Sequence, residues 1–509
     1  MEPPVQLLGA ETIFTPLELI GIFRSPLRAM KLKIFARTVR NFHMPPKLDQ
    51  CRHLAGRVVS IGVILLFLAD LNLIAQEPDN HELRLRQLEE QLQLQMKEIN
   101  QLEEALKQSA HAEPSDWGSV DYDNGLILTP PENSKTPFSM KLNGWIQFRY
   151  HGFDSSVNTW TDNAGVARRV EDRSAFDIER ARLVFSGHVL DERLTYFLQL
   201  DGDTDGGHAV DFFDYYWAWE FDEALSIELG KRKVSASRQW LLGARHTRLI
   251  DRPMATDFFR PDRTVGIWAV GELPVNIHYE LNLGNGYRTS NFSDTETDDR
   301  LTFAATSYID PLGDYGSALV DFKPSENPLV RLGHSFVYSH NSGEDDGDPY
   351  LETNFLRLTD GTRLTDLGAL APGVRVSEVD IYYYSVDAAF KYQGWSLDAE
   401  VYLVWLEQLK GNGPLPVSDL MQHGYYVEGG YFLIPEKLDC NLRYSEIDGF
   451  YGHGREIAGG INYYPLKTAA MKLSFDVTRI IDSPMQNTAS DIFVGDDGML
   501  YRTQFQAEF

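Results

Sequence analysis

From Phe138 to Phe509 apolar and polar side chains alternate with a period of two, the spacing of a strand whose faces meet different surroundings. In KLNGWIQFRYH, Leu142, Ile146, Phe148 and Tyr150 share one face, and Lys141, Asn143, Gln147 and Arg149 the other. In RARLVFSGHV, Ala181, Leu183, Phe185 and Val189 oppose Arg180, Arg182, Ser186 and His188. LTYFLQLD sets Leu194, Tyr196, Leu198 and Leu200 against Thr195, Gln199 and Asp201. This rhythm predicts strands near 138–152, 176–190, 194–203, 210–221, 225–234, 264–272, 276–284 and 302–310. A second set follows near 329–338, 379–392, 395–407, 421–433, 438–448, 456–464, 470–480 and 501–509. GSALVDF at 316–322 is taken into a turn, which leaves sixteen strands, an even number.

A soluble sandwich shows the same alternation in each strand, so the connections must discriminate. One side has 191–193, 222–224, 273–275, 393–394, 434–437 and 465–469, with 311–328 as the long exception. The other has 153–175, 235–263, 285–301, 339–378, 408–420 and 481–500, with 204–209 and 449–455 shorter. Short turns facing long loops are the signature of outer-membrane barrels, and strands of roughly 9–11 residues cross the apolar band with tilt. Such a sheet must close on itself, because hydrocarbon satisfies no unpaired backbone group. The expected fold is therefore all-β, a transmembrane antiparallel β-barrel of about sixteen strands, apolar outside and wet within. The closing YRTQFQAEF fits a last strand: Tyr501, Phe505, Ala507 and Phe509 oppose Arg502, Gln504, Gln506 and Glu508.

Upstream the pattern changes. VVSIGVILLFLA at 58–69 follows Lys47, Arg52 and Arg57 and precedes Ala75, the layout of a signal peptide. Residues 1–76 are accordingly read as leader and signal peptide; a single transmembrane anchor is the alternative. Within 77–108, Leu85, Leu92, Ile99 and Leu106 recur every seven residues with Leu88 and Leu102 between them, while the remaining seam position is Gln95. This predicts a short periplasmic α-helical coiled coil, or one amphipathic helix at the barrel mouth. Residues 109–137, polar and rich in Pro and Asn, read as a linker ahead of the barrel at 138–509.

Composition sharpens the picture at a few points. Aromatics reach 12% of the 509 residues, and a negative mean hydropathy does not exclude a barrel whose two faces differ. Nine of the 47 basic and five of the 74 acidic residues precede residue 77. The remaining 38 and 69 give a net charge of −31. Nucleic acid is thereby disfavoured as a partner. Cys51 and Cys440 have no metal-ligand spacing, and only Cys440 lies in the mature chain. DGDTDG offers Asp201, Asp203 and Asp205, yet the twelfth loop position is Phe212, so an EF-hand is rejected and a solvated hairpin tip preferred. NSGEDDGD at 341–348 reads the same way. There is no GxSxG, HExxH or Walker loop, and His188, His208, His246, His278 and His423 are scattered. No enzyme and no cofactor are expected.

Four blocks in this order resemble the phosphate-selective porin O and P family over roughly Phe138–Phe509. They are IERARLVFSGHVLDERLTYFLQLDGD, LSIELGKRKVSASRQWLLGARHTRLIDRP, HGYYVEGGYFLIPEKLDCNLRYSEID and GGINYYP. The resemblance implies a trimeric sixteen-stranded porin in outer-membrane lipid and lipopolysaccharide. It also implies inward-folded loops whose basic residues select anions such as phosphate or polyphosphate. The acidic chain departs from that pattern, but residues 231–263 do not. There Lys231, Arg232, Lys233, Arg238, Arg245, Arg248, Arg252, Arg260 and Arg263 face only Asp251, Asp257 and Asp262. Folded inward, the loop would put positive charge at the constriction, with Arg149, Arg180 and Arg182 extending the path along the wall. The same arginines could instead pair with wall carboxylates. The expected function is passive diffusion of small hydrophilic anions. The alternative is a structural barrel tethered to the cell wall through its coiled coil.

Overall fold

The computed structural model describes residues 93, 97, 118–131, 134–204, 210–289, 297–342 and 355–509. The proposed leader, and all of the coiled coil except the helical residues Gln93 and Lys97, lie outside them.

Sixteen strands make the wall. The first eight are β1 (Phe138–Ser155), β2 (Arg173–Val189), β3 (Asp191–Asp201), β4 (Asp211–Asp222), β5 (Leu225–Lys233), β6 (Arg263–Leu273), β7 (Ile277–Gly284) and β8 (Thr302–Ile309). The others are β9 (Leu329–Ser342), β10 (Val376–Tyr392), β11 (Trp395–Gly411), β12 (Leu420–Ile434), β13 (Leu438–Gly449), β14 (Gly452–Tyr463), β15 (Met471–Ile481) and β16 (Gly498–Glu508). Each pairs antiparallel with its neighbour in sequence, and β16 returns to β1 from Gly498 opposite Ser155 to Glu508 opposite Trp145. The sheet is closed, as hydrocarbon requires.

All sixteen expected strands are present, and 316–322 forms none. Two details differ. Asp191–Arg193 belong to β3, because the chain already reverses at Leu190, which takes φ 69°. The segment read as a linker contains a hairpin, Ser119–Tyr122 with Leu126–Thr129, whose second strand pairs with Met140–Leu142 of β1. Its turn holds Asn124 and Gly125, both at positive φ, the residue pair that such tight turns favour.

The wall inverts the usual burial rule. Phe148, Trp217, Leu229, Ile267, Leu397, Val401 and Leu442 are exposed on the outside. Gln147, Arg149, Asp398, Glu400, Glu428, Arg443, Glu456, Asp476 and Arg502 are buried on the inside. That arrangement is stable only where the outer medium is apolar.

The inside is not uniformly wet, contrary to the expectation from alternation. Toward the long-loop end, Val337, Ile381, Tyr383, Tyr402, Val404, Leu406, Tyr426, Ile447, Ile480 and Leu500 join one buried apolar cluster. It continues through Met254, Ala255 and Phe259 of the 234–262 loop and Leu358, Leu364, Met485 and Ile492 of later loops. Burial of these side chains fastens the loops into that half of the lumen, each Val, Leu, Ile, Met or Phe contributing roughly 1.5–3 kcal/mol.

Candidate pore constriction

The 234–262 loop leaves β5 and returns to β6, with its base closed by Val234 N–H donating to Asp262 O at 3.0 Å. Between them it crosses the lumen to the opposite wall. A short helix α1 (Arg238–Leu241) starts where Ser237 Oγ accepts from Trp240 N. Next come a 3₁₀ turn at Ala244–His246 and a second helix, α2 (Met254–Phe259).

Carboxylates of β11–β15 hold the far side of the loop. Arg238 Nη1 meets Asp398 at 2.8 Å, and Arg238 N donates to Glu400 at 3.2 Å. Arg248 contacts the other oxygen of Asp398, donates to Ser396 Oγ at 2.6 Å and lies 3.8 Å from Glu428. Ile250 N donates to Asp476, and Met254 N to Glu456 at 2.7 Å. The last contact caps α2 with a wall carboxylate, matching its positive N-terminal end.

The loop also supplies an anion to the cations of the wall. Asp251 takes Arg149 at 3.1 Å and Arg180 at 3.0 Å, and its carbonyl accepts Arg443 Nη2 at 2.7 Å. Burial would raise this carboxyl, but Arg180, Arg149 and Arg252 outweigh it and hold the group ionised well below the ordinary range. Toward the short-turn end, Lys472 Nζ donates to Thr247 O, and Gln506 Nε2 to Arg245 O. Arg245 faces Glu508 at 3.7 Å. The long turn 310–328 meets the loop there: Leu319 O accepts from Arg248, and Arg238 lies 5.0 Å from the Tyr315 ring centroid.

Most basic residues singled out from sequence therefore face carboxylates. Arg149 adds Asp491 at 3.0 Å and Glu179 at 3.3 Å, Arg182 takes Asp201 at 2.8 Å, and Arg232 sits between Glu228 and Glu280. Lys231 shares its face with Tyr215 and Val265, both exposed on the outer surface, and donates to Phe212 O.

Two residues differ. Lys233 Nζ donates to three carbonyls, of Trp240 at 2.7 Å, Leu242 at 2.9 Å and Leu241 at 3.2 Å. Arg252 donates to Gln239 O at 3.1 Å and Leu242 O at 2.7 Å. Among the described residues neither has a carboxylate at ion-pair distance. Burial pulls Arg252 down to about 10 despite Asp251 and Asp257, still charged at neutral pH.

Both belong to a collar that sequence reasoning missed. Around the buried Trp240 ring stand Arg260 at 4.2 Å, Lys233 at 4.6 Å, Arg252 at 5.4 Å and Arg263 at 5.6 Å from the centroid. An indole face attracts cations, so one ring gathers four that would otherwise repel. The signal available was a Trp inside the most basic stretch of an acidic chain.

A family model described as phosphate-selective porin O and P matches residues 146–335 and 357–509. Similar solved structures include an anion-selective porin from Comamonas acidovorans, at 12% identity and TM-score 0.48, covering 73% of this chain and 100% of that one. The outer membrane channel DcaP of Acinetobacter baumannii has 11% identity and TM-score 0.46, with 73% and 97% covered. OmpF of Salmonella typhi in complex with daunomycin has 12% identity and TM-score 0.46, with 77% and 100% covered. No curated protein matches the sequence.

Proposed function

Because the chain belongs to the phosphate-selective porin O and P family, we propose that this outer-membrane porin passes small hydrophilic anions by passive diffusion, phosphate or polyphosphate among them. The observation that carries the reading is the collar at Trp240, where Lys233 and Arg252 rest on backbone carbonyls rather than carboxylates. Low-dielectric walls focus the field of such charges, so a few of them outweigh many solvated acidic groups on outer loops. Guanidinium groups add a paired geometry that suits phosphate oxygens.

In this reading Lys233 and Arg252 attract the anion, while Arg260, paired with Asp257 at 3.0 Å, and Arg263, paired with Asp214 at 2.7 Å, hold the collar together. Arg238, Arg245 and Arg248 anchor the loop, while Arg149, Arg180, Arg182 and Arg232 brace the wall. Lys231, on the outward face of the wall, takes no part in the pore in this reading. The exposed apolar belt meets lipid and lipopolysaccharide, and the assembly is a homotrimer, as the family implies. No chemistry and no energy input are involved.

A second reading has one observation in its favour: the loop and the apolar cluster occupy much of the lumen, as in a plugged barrel tethered to the cell wall. Planar-bilayer recordings separate the two. The porin conducts, and its reversal potential in a potassium chloride gradient has the anion sign. Absence of conductance favours the tether. A cation-sign potential overturns the role of the collar and leaves the fold intact.

A further inference from the structure

Where β1 and β2 meet the 482–497 loop, two carboxylates converge on one ring nitrogen. His151 Nδ1 lies 2.9 Å from Asp491 Oδ1 and 3.0 Å from Asp177 Oδ2, and the three atoms fall within 4.8 Å of one another. An imidazole nitrogen carries at most one proton, directed in the ring plane, so it cannot donate well to both oxygens. Nδ1 is buried and forms no hydrogen bond of acceptable geometry with either.

We propose that His151, Asp177 and Asp491 bind a first-row divalent metal ion of the zinc class. The ion would take the nitrogen lone pair and one oxygen from each carboxylate, resolving the conflict at Nδ1. One imidazole and two carboxylates form a borderline donor set that leaves a position for water. The two nitrogen–oxygen separations are a few tenths of an ångström below the roughly 3.3 Å edge of a zinc tetrahedron, a gap that carboxylate rotation closes.

Asp491 is also oriented from behind. It stands in left-handed backbone, φ 60°, after a 3₁₀ turn capped by Asn487, and its second oxygen takes Arg149 Nη1 at 3.0 Å. Such outer contacts fix a ligand's direction before the metal arrives. The local charge balance agrees. Among the described residues Arg149 and Arg180 pair with Glu179, Asp251 and Asp491, Asp177 pairs with His151, and Arg502 is taken up by Asp476. A bound ion would tie the 482–497 loop to the wall and fix one side of the long-loop mouth.

The test titrates zinc chloride into metal-stripped, full-length porin in detergent, by calorimetry and by thermal unfolding. The expected result is one saturable site per chain and an upward shift of the unfolding midpoint, as a ligand of the folded state alone must produce. H151A should weaken binding at least tenfold. D177N, whose carboxylate makes no other ion pair among the described residues, should do the same if the alanine variant fails to fold. No saturable binding overturns the proposal and leaves a protonated imidazole shared by two aspartates. Zinc binding unchanged in both variants overturns it equally, by assigning the ion to other residues.

Discussion

The basic residues on the two sides of the 234–262 loop, with Lys233 of β5 at its foot, are held in opposite ways. On the far side Arg238 and Arg248 reach Asp398, while Asp251 draws in Arg149 and Arg180. On the near side Lys233 and Arg252 end on backbone carbonyls beside an indole. Carboxylate pairing converts a charge into a fastening and cancels its reach. Carbonyls and a ring face hold a cation in place without neutralising it. A count of basic residues therefore says little about selectivity until each one's partner is known.

The sharpest way to break the fastened side is to remove its shared anion. D251A leaves Arg149 and Arg180 buried with one partner fewer, which should cost about 3–5 kcal/mol. Thermal unfolding in detergent would show this, and single-channel records should become noisy as the loop loosens.

Next in size is a pH effect at the loop tip. Burial, with Arg245, Lys472 and Lys233 nearby, lowers His246 from 6.5 to about 4. Below about pH 6.5 the unfolded chain takes up a proton that the folded one refuses until near pH 4. Stability is therefore full above that window and falls through it, by no more than about 3 kcal/mol. H246Q should flatten that part of the profile, and an unchanged slope would refute the assignment.

A smaller effect is expected at the α2 end. Tyr402 OH bonds Thr256 Oγ1 at 2.7 Å and Glu400 at 2.8 Å, so Y402F should lower stability by about 1–2 kcal/mol. The exposed Lys410–Glu378 pair serves as the control, since K410A should change stability by less than about 0.5 kcal/mol.

Much of the wall was legible because alternation is local. The strand beginning at Phe138 and the strand ending the chain could each be read from ten residues, and their closure follows from hydrocarbon chemistry. The apolar half of the lumen was less plain, though IYYY at 381–384 and VYLVWL at 401–406 break the rhythm by being apolar on both faces. The Asn124–Gly125 turn was equally visible inside a segment read as a linker. What no local pattern shows is partnership. Arg149 meets Asp251 across 102 positions and Asp491 across 342, so only the closed sheet turns a basic residue into a bracing one. The same distance hid His151 with Asp177 and Asp491.

Reversal potential in a salt gradient, measured on two double variants of matched charge, tests the division of labour most directly. K233Q/R252Q should lose most of the anion preference, on the order of tenfold in permeability ratio, while R238Q/R248Q should destabilise the loop and keep the sign of selectivity. Equal losses of selectivity in both variants would contradict it, as would an unchanged potential in the first.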